Sequence, residues 1–458
     1  MASRADTIEG VPSRAAVGVL RPDEAGPASD PVAEQPAGHF AVPAIVRRNT
    51  LLLASSQAIV GIGSQMVPTL APIMIVRLSG TEALLGVAVA SIGVSKLLAA
   101  YPVGQITDRY GRKAGLLLGN ALCLLGALIL GTAVLWWSLP QLIVGLLVFG
   151  AGVAASQQLR LAAADMYLPN RRAEGLGYVL TGSLTGALLA PLVMTGAQAA
   201  APGLGIEAAA LAWLLVPLTL VPVMVLVAQV RPDPKEIASN LSRYYPGYVA
   251  PPRPHDVHGA AMPDPSIVAW LREYPKRVAF VSSAVAQGTM TLMMALTSFS
   301  LAHHGHEFSA ISISVAIHVV GMFGLSVPLG RICDRTGRRP VLLGGLMVLA
   351  VGAILVPSTS DYWLATLGTF LVGVGWSGAS IAASALIADT TEPTLRGRAI
   401  GVNDTFAAAG AIVFPLVGGP LAAAFGLVTM GFITAAVTVP AMILAAGLQQ
   451  NLTREGLN

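Results

Sequence analysis

Long apolar stretches, separated by short polar breaks, occupy most of the chain between residues 50 and 448. A helix needs about 20 apolar residues to cross the hydrocarbon core of a bilayer, and the stretches have this length. We place twelve helices, α1 to α12, in two groups of six. The first group covers 50–77, 83–103, 114–136, 139–164, 174–198 and 207–230, and the second covers 277–302, 309–330, 341–357, 361–388, 397–423 and 427–448. The pattern predicts an all-α integral membrane protein.

Composition supports this prediction. The chain has 458 residues, of which 54% are hydrophobic and only 11% are charged, whereas a soluble domain carries about 25% charged residues. The 49 glycines fit a packed helical bundle, because small residues let membrane helices approach closely. The net charge of +4 is spread over short loops, so we expect a lipid bilayer and no nucleic acid as partner.

Polar segments divide the chain into five parts. We expect a disordered cytoplasmic tail at 1–48, a six-helix bundle at 49–230, a Pro-rich cytoplasmic linker at 231–276, a second bundle at 277–448 and a cytoplasmic tail at 449–458. The N-terminal segment lacks the apolar region of a cleavable signal peptide. Within the linker, 235–243 and 265–274 are candidates for short interfacial helices.

The distribution of basic residues predicts the orientation. Of the 27 lysines and arginines, only Lys96 and Arg160 lie deep inside predicted spans. Loops on the side of the N-terminus hold most of the others, and the opposite side has one clear basic residue, Arg77. Because lysine and arginine concentrate in cytoplasmic loops, we expect a multi-pass protein of the plasma membrane with both termini in the cytoplasm.

A loop is repeated in the two halves. Gly104-Gln-Ile-Thr-Asp108-Arg109-Tyr-Gly111-Arg112-Lys113 follows predicted α2, and Gly330-Arg-Ile-Cys-Asp334-Arg335-Thr-Gly337-Arg338-Arg339 follows predicted α8, 226 positions later. We call these the first and second motif loops. A second set of residues matches at an offset of 224: Asp165, Gly177, Gly186 and Pro191 with Asp389, Gly401, Gly410 and Pro415. Several matches at nearly one offset indicate that the halves are structural copies.

The motif loops resemble the signature between helices 2 and 3 of the major facilitator superfamily, which recurs between helices 8 and 9. The resemblance covers about residues 50 to 448. It implies twelve transmembrane helices in two pseudo-symmetric bundles that rock around a central cavity. It also implies a gating latch at the loops, for which Asp165 and Asp389 are the obvious carboxylate partners of the arginines. The alternative is that these bases only determine topology.

Predicted α5 and α11 carry a glycine and proline pattern that resembles the signature of facilitator antiporters. The fuller copy is on α11, with Gly401, Gly410, Pro415, Gly418 and Gly419, while α5 keeps Gly177, Gly186 and Pro191. Exporters of this type carry an arginine in α4 at a position that Leu146 occupies here. The pattern therefore favours export by antiport without deciding it.

Ionisable residues inside spans are candidates for substrate or proton sites, because a charge in a bilayer is costly. Lys96 on α2 and Asp404 on α11 have similar expected depths, roughly 12 Å from the end of the span. The resemblance places α2 and α11 opposite each other. We hypothesise that these two residues pair in at least one state. The alternative is that Lys96 reaches the cytosol and Asp404 binds a hydroxyl group or water.

Two other ionisable residues allow two interpretations each. His318, about midway along predicted α8, is either a proton carrier or a packed, hydrogen-bonded histidine. Arg160, with Gln157 nearby, either binds an anionic group or joins the latch at Asp165.

Uncharged residues complete the predicted cavity lining: Gln57, Ser64, Gln65, Gln287, Thr291, Trp376 and Ser380. Hydrogen-bonding groups scattered in an apolar lining suit amphiphilic organic substrates, although each residue alone is also explained by helix–helix contact. The segment 303–307, His-His-Gly-His-Glu, has ligands that suit zinc or copper. Short loops also gather histidines without a metal, so we predict no metal and no cofactor.

These features predict a secondary active transporter rather than an enzyme. We expect a monomer that moves small organic compounds by alternating access, with proton-coupled export as the main hypothesis. An importer or uniporter of a metabolite, and a non-transporting membrane sensor or assembly protein, are the alternatives, since a fold does not decide function. No Gly-rich loop precedes a Lys-Ser/Thr pair, so ATP is not expected as the energy source.

Overall fold

The computed structural model describes residues 41–168, 171–248, 266–392 and 395–449, and within these ranges the secondary structure is helical without strands. Most of the predicted N-terminal tail (1–40), part of the linker (249–265) and 450–458 lie outside the described residues. The described part has twelve helices long and apolar enough to cross a membrane, so their predicted number is confirmed.

The helices have the following bounds: α1 Ala44–Ser79, α2 Val87–Tyr110, α3 Arg112–Leu135, α4 Leu139–Ser156 with Gln158–Asp165, α5 Arg172–Leu204, α6 Ala208–Ala228, α7 Tyr274–His303, α8 Phe308–Phe323 with Ser326–Thr336, α9 Arg338–Leu355, α10 Tyr362–Asp389, α11 Arg396–Phe425 and α12 Leu427–Ala446.

Some helices extend beyond their apolar stretch. α1 begins directly after Pro43, so residues 44–48 are helical, and α2 continues to Tyr110. In lipid the backbone must satisfy its hydrogen bonds within the helix. The helical conformation then continues into the polar residues that flank the apolar stretch. Lys96 therefore lies roughly 21 Å from the end of α2, farther from the helix end than the sequence predicts.

Two helices predicted as continuous are broken. α4 is interrupted at Gln157 and α8 at Gly324 and Leu325. No proline lies near the interruption of α4. In α8, Pro328 lies four residues after Gly324 and has no N–H to donate to the Gly324 carbonyl oxygen, so it disfavours a continuous helix at this point. Both breaks adjoin the cavity described below, where polar backbone groups are tolerated.

The same helix pairs pack in both halves. Contacts of α1 with α5, α2 with α4, α3 with α4 and α3 with α6 recur as α7 with α11, α8 with α10, α9 with α10 and α9 with α12. The motif loops also share a backbone conformation, since Gly111 and Gly337 have φ of +94° and +93°. Only glycine adopts this region readily. The repeat in the sequence is therefore a repeat in structure.

Glycines bring backbones into contact within each half. A Cβ atom on Gly186 of α5 would overlap the carbonyl oxygen of Ala58 on α1, and one on Gly410 of α11 would overlap that of Ala284 on α7. Lipid supplies little hydrophobic driving force for helices to associate. Van der Waals contacts between closely packed small residues stabilise the association instead.

The two halves meet on the membrane face opposite the motif loops. We call the face of the motif loops the motif face, and the contacts between halves the seam. At the seam, a Cβ on Gly86 of α2 would overlap the carbonyl oxygen of Pro415 on α11. The Ser309 backbone N–H of α8 donates to Gln198 Oε1 of α5 at 2.8 Å, and the Ser298 hydroxyl of α7 donates to the Pro68 carbonyl of α1. The seam closes this face of the molecule.

The described first part of the linker is fixed to the first motif loop. Asp233 accepts hydrogen bonds from the backbone N–H groups of Arg112 (3.1 Å) and Lys113 (3.0 Å), which begin α3. These N–H groups have no partner inside the helix, and a carboxylate also interacts favourably with the positive end of the helix dipole. Lys235 donates from Nζ to the carbonyl oxygen of Asp108. The linker thus caps α3.

A tyrosine anchors the linker further along. The Tyr245 hydroxyl donates to the Met166 carbonyl oxygen at 3.1 Å, and the side chain is buried. Burial raises the pKa of Tyr245 to about 12, so the phenol keeps its donor proton near neutral pH. Short helices at Pro234–Ser239, Leu241–Tyr244 and Ile267–Arg272 agree with the helical segments predicted for the linker.

Gly86→Val is expected to weaken the seam by about 1–3 kcal/mol, the usual cost of overpacking. Val67 on α1 is a buried residue of the cavity lining. A cysteine at this position, in a background without Cys123 and Cys333, should then react at least several-fold faster with an impermeant thiol reagent applied from the face opposite the motif loops. Gly344→Val is the control, since a Cβ at Gly344 meets no atom within 4 Å. Equal labelling of the two variants would contradict this role of the seam.

Asp233→Ala is expected to destabilise the protein by about 1–3 kcal/mol, because it leaves two helix N–H groups without their charged acceptor. The expected measurement is a lower midpoint of thermal unfolding in detergent. Glu392→Ala removes an exposed carboxylate and should change the midpoint little. The same loss in both variants would rule out a specific capping role for Asp233.

Candidate functional site

A cavity of about 560 Å³ is lined by both halves of the molecule. This volume is within the range of roughly 300–1,000 Å³ found for small-molecule sites. Its walls come from α1, α2, α4 and α5 of the first half and α7, α8, α10 and α11 of the second. The first, second, fourth and fifth helices of each bundle thus line the cavity. The two halves contribute equivalent helices, as expected for a repeat.

The cavity brings together the predicted substrate and proton residues, which all belong to its lining: Gln57, Gln65, Lys96, Gln157, Arg160, Gln287, His318, Trp376 and Asp404. Ser64 and Thr291 also line it, whereas Ser380 does not. Polar residues of widely separated helices thus share one space, which agrees with the expectation that polar groups inside spans mark a site.

Lys96 and Asp404 face the cavity from opposite halves. They are not within ion-pairing distance, 4.0 Å, in this conformation of the described chain. Arg160, the other cation of the cavity lining, belongs to the same half as Lys96. The hypothesis that Lys96 and Asp404 pair in another state stays a prediction.

His318 lies just before the break in α8 and is buried. Its Nδ1 lies 2.8 Å from the Thr369 carbonyl oxygen. A carbonyl oxygen only accepts, so Nδ1 carries the proton and Nε2 is the free acceptor of the neutral ring. Nε2 has no hydrogen-bond partner among the described residues. The ring is therefore packed, and its buried Nε2 is an acceptor without a partner among the described residues.

A hydrogen-bonded pair spans the second half of the cavity wall. Trp376 Nε1 donates to Gln287 Oε1 at 2.9 Å, and Gln287 Nε2 donates to the Thr291 hydroxyl at 3.3 Å. Gln57 differs, because its buried Oε1 has no partner in the part of the chain that the structure describes. Gln287 and Trp376 are thus positioned by each other, and Gln57 has free acceptor capacity.

The apolar part of the lining was not predicted. Met290, Met294, Met322 and Phe323 face the cavity from the second half. Methionine adapts to irregular apolar shapes, so these side chains suit the apolar part of a ligand. No sequence signal identifies them, since an apolar residue in a span has the same pattern whether it faces lipid, another helix or a cavity.

The arginines of the motif loops contact the predicted carboxylates. Arg112 reaches Asp165 Oδ2 from Nε (3.0 Å) and Nη2 (2.9 Å). Arg338 donates from Nε to Asp389 Oδ2 at 2.9 Å and from Nη1 to Asp334 Oδ1 at 2.8 Å. The sequence thus predicted the partners within each half.

The remaining charged residues of the motif loops make peripheral contacts. The Arg109 guanidinium lies 5.3 Å from the centroid of the Tyr110 ring, and Lys113 donates to the Ala228 carbonyl oxygen. Asp108 and Arg335 are exposed, and Arg339 is partly buried.

The glycines predicted to be functional fall into two groups. A Cβ on Gly104, Gly177, Gly330 or Gly401 would meet no atom within 4 Å, and these four lie toward the motif-face ends of α2, α5, α8 and α11. Gly186 and Gly410 instead touch neighbouring backbones, as described above. Pro191 and Pro415 lie inside α5 and α11. The open positions lie far from the seam.

The histidines of 303–307 do not converge. His304 Nδ1 lies 2.8 Å from the Ser300 carbonyl oxygen, and the His306 ring packs 5.3 Å from the Tyr362 ring. No group of three or more His, Cys, Asp or Glu side chains within the described ranges is arranged to hold a metal ion.

Comparisons with known proteins agree with this architecture. The family model described as Major Facilitator Superfamily matches residues 53–271 and 278–454. The chain is 27% identical over 368 residues to "Uncharacterized MFS-type transporter YddS" of Bacillus subtilis (strain 168), covering 80% of this chain and 82% of that protein. It is 24% identical over 364 residues to the riboflavin transporter RfnT of Brucella anthropi, covering 78% and 85% respectively.

Among solved structures, the nucleoside transporter NupG has the same fold. The alignment covers 89% of this chain and 100% of that chain, with a TM-score of 0.65 and 13% sequence identity. The two separate matches of the family model correspond to the two repeated halves, and together they cover most of the chain. The chain is a multi-pass membrane protein that belongs to the Major Facilitator Superfamily of transporters.

Proposed function

We propose that this chain is a secondary active transporter of the plasma membrane that exports small amphiphilic organic compounds in exchange for protons. The observation that carries the proposal is the cavity shared by the two halves, which holds ionisable residues at membrane depth. Transporters of this architecture place their site at the interface of two repeats and rock one repeat against the other.

The proposed orientation puts the motif face in the cytoplasm. The motif loops hold seven basic residues at 109, 112, 113, 331, 335, 338 and 339, whereas Arg77 lies at the other end of α1. Basic residues favour the cytoplasmic side. With the seam closed on the outer face, the conformation described here is the one that receives substrate from the cytoplasm. Both termini are cytoplasmic in this proposal.

The ion pairs at the motif loops are the proposed gating elements. Arg112 with Asp165, and Arg338 with Asp389, join each motif loop to the end of α4 or α10 of the same half. Asp108 is exposed and free to meet another helix when the halves close on the cytoplasmic side. A carboxylate near a helix N-terminus is favourable, so the outward-facing state would gain this contact.

Asp404 is the proposed proton carrier. It lies on α11 in the cavity lining, in the second half, across from Lys96. When ionised, Asp404 attracts Lys96 of the first half. When protonated, it is neutral and loses this attraction between the halves. Such a difference can couple protonation to a conformational equilibrium. His318 is the second candidate, because Nε2 is free to accept a proton.

Purified protein in proteoliposomes is expected to accumulate one or more amphiphilic compounds when a pH gradient is imposed, and to lose this on addition of a protonophore. The screen should include riboflavin, the compound in the name of one relative. Asp404→Asn should lower gradient-driven accumulation at least about tenfold while retaining exchange at equal pH, since the carboxylate is the proposed proton site.

Glu392→Gln, which removes an exposed carboxylate near the start of α11, is the matched control and should transport normally. In cells, an exporter lowers the content of its substrate, and a higher content would instead establish an importer. Transport that ignores the gradient would establish a uniporter, and no transport of any compound would favour a sensor or assembly protein.

A further inference from the structure

Two cations lie on one wall of the cavity. Lys96 on α2 and Arg160 on the second segment of α4 both line it, and both are partly buried. They belong to the lining of the same cavity and to the same half of the molecule. Arg160 Nε is buried and has no hydrogen-bond partner among the described residues. The first half therefore presents a concentrated positive charge with unused donors.

The first half has no carboxylate to neutralise this charge. Its acidic residues between 44 and 230 are Glu82, Asp108, Asp165, Glu174 and Glu207, and they lie at or near helix ends or in the connections between helices. Asp165 is the nearest along the chain to Arg160, and it is bound to Arg112 at 2.9 Å. Asp404, the acidic residue of the cavity, belongs to the other half and is not within 4.0 Å of either cation in the described chain.

Two like charges on the wall of one partly enclosed cavity repel each other, and an anion bound between them relieves the repulsion and supplies hydrogen-bond acceptors. Arginine offers a planar fork of donors that matches a carboxylate, and lysine adds a point charge with three donors. We propose that Lys96 and Arg160 form a subsite for the anionic group of an amphiphilic organic anion, a refinement that rests on the transport function proposed above.

The rest of the cavity suits the apolar part of such a compound. Met290, Met294 and Phe323 line it from the second half, and the Phe323 ring lies edge-on to the Trp376 ring at 6.2 Å between centroids. Flexible thioethers and aromatic rings accommodate apolar bodies of varied shape. The charge of the ligand is thus recognised by one half and its apolar body by the other.

Asp404 and the bound anion are then alternative counter-ions for Lys96. With the anion bound, Lys96 is neutralised within its own half, and Asp404 is free to take up a proton. After the anion leaves, Lys96 is available to Asp404 across the cavity. This links the pair predicted from sequence to the occupancy of the site.

The test uses full-length protein in lipid nanodiscs and three ligands with one aromatic body: 2-naphthylacetate, its amide and 2-naphthylethylamine. Calorimetric titration, corrected with empty nanodiscs, should give about tenfold tighter binding of the carboxylate than of the amide, and weakest binding of the amine. Lys96→Gln and Arg160→Gln should each remove most of this preference and keep the amide affinity within about twofold, which also shows that the variants are folded.

Arg272→Gln, at an exposed site on the linker, should leave all three affinities unchanged. Asp404→Asn should strengthen binding of the carboxylate, since it removes a competing negative charge. The proposal is overturned if carboxylate and amide bind the unmodified protein equally, if the preference survives in both cation variants, or if no naphthyl compound binds. Failure of transport in proteoliposomes with the charge preference intact would instead refute the proposed function and leave the subsite standing.

Discussion

Hydrocarbon offers neither counter-ions nor hydrogen bonds, so every charged group near the membrane interior needs a partner or access to water. This constraint organises the molecule. At the motif face, Arg112 and Arg338 are matched by Asp165 and Asp389, and the linker supplies Asp233 to the start of α3. Lys96 has no matching carboxylate in its own half. Its charge is tolerated because Lys96 faces the cavity. A lysine without a carboxylate partner therefore has to lie where the cavity is.

The sequence predicts the parts of the fold that the bilayer dictates. Hydrocarbon thickness sets the length of a span, and repeated loops imply repeated halves, so the twelve helices and their duplicated arrangement follow from pattern alone. The break at Gln157 is different. It depends on where the backbone finds hydrogen-bonding partners beside a cavity, and that is a property of the packed bundle. The break at Gly324, in contrast, follows from Pro328 four residues later. Asp233 caps a helix 121 residues earlier in the chain, a distance over which no local capping rule applies.

The site, like the fold, was predictable from the sequence only in part. Polar residues are conspicuous in an apolar span, and all of those predicted for the cavity except Ser380 line it. Met290 and Phe323 were not conspicuous, because apolar side chains serve lipid contact, helix packing and ligand contact equally well. The sequence also underestimated the distance of Lys96 from the end of α2, since the apolar pattern of α2 stops before the helix does. The sequence pattern therefore identifies the polar residues of the site more readily than the apolar residues that give the cavity its shape.

Backbone atoms take part in the contacts at the seam. Gly86 and Gly419 meet main-chain atoms of the other half, and Ser298 and Ser309 bond to a carbonyl oxygen and a side-chain amide. The groups that line the cavity, in contrast, are mainly side chains. Substitutions in this lining can therefore accumulate without touching the contacts between the halves. The contacts that hold the fold can persist while the lining diverges, which agrees with a fold shared with NupG at only 13% identity.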